Sequence, residues 1–163
     1  MRFMKEILVS ACLLGQKVRY NGGSLAMDNE TMDRWLEEGR VVAVCPEVIS
    51  GMSTPRNPSE ILGGDGVAVL GGRARVQENT GQDVSSYFIA GAEAALSLCL
   101  QRDIRIAILA ESSPSCGSSS IYDGSFSALK KTGMGVTAAL LRANGIEVFS
   151  QLQIAAASKS LLG

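Results

Sequence analysis

The sequence predicts a single-domain, three-layer α/β/α sandwich with a mostly parallel sheet and a small β-hairpin insertion. Three observations predict it. Short, continuous apolar runs recur along the chain, as parallel strands buried on both faces require. Segments of helical period separate them, which is the alternation of an α/β fold. A Gly- and Pro-rich stretch holds the one hairpin signal.

The elements follow in order. Ile7 to Ala11 reads as the first strand, and Arg19 to Ser24 as a turn-rich loop. Asp28 or Asn29 caps a helix running to Glu38, with Met32, Trp35 and Leu36 as its apolar face and Gly39 as its stop. Val41 to Cys45 is the second strand. From Pro46 to Gly72 the chain reads as irregular. Ser53 to Glu60 carries two prolines that exclude a helix interior or a regular strand. Val67–Leu70 and Ala74–Gln77, joined by Gly71-Gly72, read as the hairpin. Helical spacing returns from Asp83 to Gln101 and places Cys99 on a buried face. Arg105 to Leu109 is the third principal strand, followed by a Ser- and Gly-rich loop from Glu111 to Ser127. A helix from Gly135 stops at Asn144-Gly145. Ile146 to Phe149 is the last strand and Ser150 to Leu162 a terminal helix. No repeat or linker divides residues 1–163, so one domain is expected.

The 163 residues are 46% hydrophobic and 19% charged, with a net charge of −1. Such a chain can bury a core and is not disordered. The pI of about 5.5 gives no global electrostatic case for nucleic acid. Neither a secretory signal nor a bilayer-spanning stretch is read, so the cytoplasm is the expected compartment, where thiols stay reduced. Histidine is absent. That excludes Ser-His-Asp triads, Cys-His pairs and His-ligated metal sites.

Cysteine carries the chemistry. Cys12 and Cys45 each end an apolar run, and Cys116 lies just past a third. In open α/β sheets, ligands bind beyond the carboxyl ends of the strands. Three thiols meeting there could hold a metal or an iron–sulfur cluster and leave one position open; a thiol redox site and simple burial remain as alternatives. Glu47 lies two residues past Cys45 and is placed to act as an acid or base. Ser113, on a turn set by Pro114, could donate to a developing charge. Arg56 and Glu60 flank the Pro-rich loop, where they either clamp a ligand or pair with each other. The glycines of Leu62-Gly63-Gly64-Asp65-Gly66 do not sit between a strand and a helix, so they read as turns rather than a phosphate cradle.

Six ordered motifs then carry a resemblance: Ser10-Ala11-Cys12-Leu13-Leu14-Gly15, Cys45-Pro46-Glu47, Thr54-Pro55-Arg56, Ser113-Pro114-Ser115-Cys116-Gly117, Tyr122-Asp123-Gly124-Ser125-Phe126 and Gly135 to Leu141. From about Ile7 to Phe149 the chain resembles a bacterial family long of unknown function, some of whose members are thiouracil desulfidases carrying a [4Fe-4S] cluster. The resemblance implies a desulfidase that replaces a thiocarbonyl sulfur by oxygen in a thiolated pyrimidine, of the 2- or 4-thiouracil type, as base, nucleoside or tRNA. It implies a [4Fe-4S] cluster with one open iron, held by Cys12, Cys45 and Cys116 and prone to loss in air. It implies catalytic roles for Glu47 and Ser113. Two departures bear on the pocket: Ala110 stands where the family often has Lys, and Ser50-Gly51-Met52 where it usually has Gly-Gly. The alternatives are a non-catalytic sulfur or cluster carrier and a zinc hydrolase with a Cys₃-water site. A small thiolated pyrimidine is the expected partner, tRNA is disfavoured by charge, and no membrane is expected. The sequence does not bear on oligomeric state.

Overall fold

The protein is described from a computed structural model covering residues 4–162. Its centre is a four-stranded parallel sheet of β1 (Ile7–Ser10), β2 (Val41–Val44), β5 (Ile106–Leu109) and β8 (Glu147–Ser150), in the order β2-β1-β5-β8. Side chains alternate across the strands and divide the core in two. Leu8, Ala107 and Leu109 pack with Ala95 and Cys99 of α4 (Ser85–Arg102) and Ala138 and Leu141 of α5 (Val136–Ala143). Ile7, Val9, Ile106 and Ile108 pack with Met32 and Trp35 of α1 (Glu30–Glu37) and Ile154 and Ala157 of α6 (Ile154–Leu162). These are the three layers the apolar runs predict.

Local signals hold at the helix ends. The Asn29 side chain accepts the Met32 N–H at 2.9 Å and caps α1. Ser150 and Gln153 form a capping box ahead of α6. No helix among the described residues is long and apolar enough to cross a membrane.

The stretch from 46 to 78 departs from expectation. Pro46 opens a short helix, α2 (Pro46–Ile49), as a proline at the first helical position can. The expected hairpin of Val67–Leu70 with Ala74–Gln77 does not form. Asp65 accepts the N–H groups of Val67 and Ala68, and this cap turns Gly66–Leu70 into a helix, α3. The antiparallel partner of β4 (Arg75–Glu78) is instead β3 (Ser59–Leu62). Regular structure therefore resumes right after Pro58, inside the segment read as irregular. A second antiparallel pair, β6 (Ser120–Tyr122) with β7 (Lys130–Thr132), lies where the sequence showed mostly loop.

Candidate metal centre

All four parallel strands point the same way, so the segments leaving them share one edge of the sheet. A cavity of about 1020 Å³ opens there, lined by Cys12, Cys45 and Cys116 together with Ala110 and Gln151. Cys99 is absent from it. That residue is 1% exposed inside the α4–α5 layer, as the helical spacing predicts.

Each thiol is set by a different device. Cys12 lies in a single 3₁₀ turn, Ala11–Leu14, directly after β1. Its carbonyl accepts the Leu25 N–H at 2.9 Å, which draws the next loop across the cavity. Cys45 is the N-cap of α2. That helix packs on α4 at Gly91, where a Cβ would lie 2.3 Å from the Pro46 carbonyl oxygen. Only glycine admits so close an approach. Cys116 lies beyond β5 and is 6% exposed. The start of α5 holds its loop: Val136 N–H donates to the Pro114 carbonyl and Thr137 N–H to the Ser115 carbonyl, both at 2.8 Å. The loop thus supplies acceptors for helix N–H groups that lack partners of their own.

The thiols are free cysteines. Burial pushes Cys12 up to about 11, and neighbouring Cys45 adds to the shift. Burial raises Cys45 as well. It raises Cys116 further, against the opposing effect of the Ser10 hydroxyl. Unmetallated, the three are neutral thiols. No group of three or more Cys, Asp or Glu among the described residues is gathered tightly enough for a single ion, so a Cys₃-water zinc site is not preformed. The donor set is soft, three thiols bordering one cavity. A cluster, which spreads its ligands over several irons, fits that donor set.

Around the thiols stand the polar residues. Glu47, in the first turn of α2, forms an ion pair through Oε2 with Arg56. Arg56 also donates to the Val18 carbonyl at 3.0 Å and to the Ser53 carbonyl at 3.1 Å, so its guanidinium is fixed and buried. Ser113 Oγ accepts the N–H groups of Ser115 at 3.0 Å and Cys116 at 3.1 Å. With both lone pairs used, its hydroxyl proton remains to be donated. Arg56 and Glu60 do not pair with each other. Glu60 is 9% exposed and accepts the N–H groups of Gly124 at 2.9 Å and Phe126 at 3.2 Å.

Glu111 was missed as a site residue in the sequence, although it lines the same cavity. Its carboxylate accepts the N–H groups of Ser112, Ser118, Ser119 and Ser120 and the hydroxyls of Ser118 and Ser119. Burial alone would raise its pKa. The Ser118 hydroxyl and the Ser119, Ser120 and Ser112 N–H groups outweigh burial and hold it at about 2. Only the serines clustered nearby hint at this in sequence, because most of the donors are backbone groups.

Comparison with known proteins places this arrangement. The chain is 46% identical to a solved structure of the [4Fe-4S]-dependent thiouracil desulfidase TudS, with a TM-score of 0.88, covering 96% of this chain and 97% of that one. It is 45% identical to the uncharacterized protein YbbK of Bacillus subtilis (strain 168), over 91% of this chain and 97% of that protein. A family model described as 2-thiouracil desulfurase matches residues 7–153, a span that includes every thiol and carboxylate of the cavity. The chain with three strand-end thiols around one cavity belongs to the 2-thiouracil desulfurase family.

Proposed function

We propose that the protein is a [4Fe-4S]-dependent desulfidase that exchanges the thiocarbonyl sulfur of a thiolated pyrimidine, such as 2- or 4-thiouracil, for oxygen. One observation carries the reading: three free thiols from three parallel strand ends border one cavity that also holds an anchored carboxylate and a serine hydroxyl. Family membership and the likeness to TudS support it.

Cys12, Cys45 and Cys116 are the residues that would hold the cluster. Three thiolates cannot saturate four irons, so the bound cluster would supply a Lewis-acidic iron for the thiocarbonyl sulfur. The protein's own groups do the rest. Because the thiols are neutral when unmetallated, loading must release their protons. Glu47 takes a proton from the attacking water and returns one to the departing sulfur. Arg56 holds that carboxylate in place through the ion pair. Ser113, with only its proton left to offer, donates to the negative charge that develops on the ring as water adds. The exchange consumes water and thiouracil and yields uracil and hydrogen sulfide, so no electron donor is needed.

The test is turnover of 4-thiouracil and 2-thiouracil by anaerobically reconstituted protein, with iron and sulfide assayed beforehand. Uracil and sulfide are expected in equal amounts. A fully loaded protein that releases neither from either compound overturns the reading and leaves a cluster carrier in its place.

A further inference from the structure

The geometry points to the turn between β6 and β7 as a rigid platform on which Phe126 stacks a planar heteroaromatic ring. This inference rests on the pyrimidine reading and says how the ring is recognised. Phe126 lines the same cavity as the three thiols.

The turn is held in a conformation that its sequence disfavours. Phe126 has φ +57° and Ala128 has φ +61°, a left-handed region where side chains clash with the backbone. Glycine or asparagine would relieve both positions. Non-glycine residues persist there when their surroundings over-determine them, and such positions cluster at ligand clamps.

The surroundings do over-determine this turn. Asp123 N–H donates to the Leu129 carbonyl at 2.9 Å and closes its base. Asp123 Oδ1 accepts the Ser125 N–H at 2.9 Å. Glu60, nearly buried and in no ion pair among the described residues, accepts the Gly124 and Phe126 N–H groups. Burying a carboxylate is costly, and here its partners are the two N–H groups that fix the phenylalanine.

Stacking recognises the face of a ring, and hydrogen bonds recognise its edge. Uracil and 5,6-dihydrouracil share every donor and acceptor, but the saturated ring is puckered and has lost its C5=C6 bond. Equilibrium dialysis of the cluster-loaded protein against each compound separates the two contributions. The wild type should hold uracil roughly tenfold more tightly, the size of one aromatic stacking contact. Phe126→Leu should erase that preference and Phe126→Tyr should keep it. Iron per chain, unchanged in both variants, shows that each has folded. Equal affinity for the two rings, no binding of either, or a preference that survives Phe126→Leu overturns the inference. Ring preference without thiouracil turnover would instead sink the desulfidase reading and leave the platform standing. Turnover without ring preference would do the reverse.

Discussion

Two carboxylates face the same cavity from different segments, and the protein treats them in opposite ways. Glu47 sits at the start of α2 with a single ion-pair partner, Arg56. Glu111 sits at the start of the serine loop and accepts six hydrogen bonds from four serines. A carboxylate can move a proton only if a lone pair is free to take it. Glu47 keeps Oε1 without a partner among the described residues, while both oxygens of Glu111 are occupied. Burial and proximity to the cavity are similar in kind. On the proposed reading, the difference in partners gives the chemistry to Glu47 and the architecture to Glu111.

The comparison can be broken at several points. The largest effect is expected from its frame: serine at Cys12, Cys45 or Cys116 should abolish most iron binding and all turnover, measured as iron and sulfide per chain. Next comes Glu47→Gln, which keeps the shape but removes the base. Turnover per intact cluster should fall about 10²–10⁴-fold with stability nearly unchanged. Near-normal turnover would end the catalytic assignment. Ser113→Ala should cost less, at most about 10²–10³-fold, since it removes one donor that water can partly replace.

Glu111→Gln should show the opposite pattern, with a loss in thermal stability and cluster retention but a small change in rate per intact cluster. It also sharpens the acid limit. The folded pKa lies at about 2, below the ordinary 4.5, so this group stabilises the fold above pH 4.5 and that contribution drains as pH falls toward 2. Acid titration followed by circular dichroism should show the variant losing less stability across that window than the wild type. A steeper loss in the variant would mean that Glu111 is not the acid-sensitive anchor. The smallest effect belongs to Cys99→Ser. It should keep full iron and lose about 1–3 kcal/mol in denaturant unfolding by burying a hydroxyl in the apolar α4–α5 layer.

What could be read from the residues depends on where the information lies. Strands β1, β2 and β5 were legible because each is a largely apolar run, and α1 because Asn29 and Gly39 mark its ends. The three thiols were legible because their loops begin where those runs stop. Val67–Leu70 misled because a four-residue apolar stretch has no period of its own, and the cap at Asp65 decides it. The β6–β7 pair was hidden because strands of three residues in a serine-rich segment show no alternation. The role of Glu111 was invisible for a related reason. Its main partners are backbone N–H groups, which every residue carries and no sequence advertises.

The spacing of the three thiols along the chain has a thermodynamic consequence. Cys12 and Cys45 are 33 residues apart, and Cys45 and Cys116 are 71 apart. In the unfolded chain they wander independently, and the entropy lost in closing such loops grows only with the logarithm of their length. A group gripped by all three therefore acts as a staple across most of the molecule, and because the unfolded chain cannot assemble that grip, mass action draws the population toward the folded form. Iron supply would then govern how long each copy of the chain survives, as well as how many copies can react.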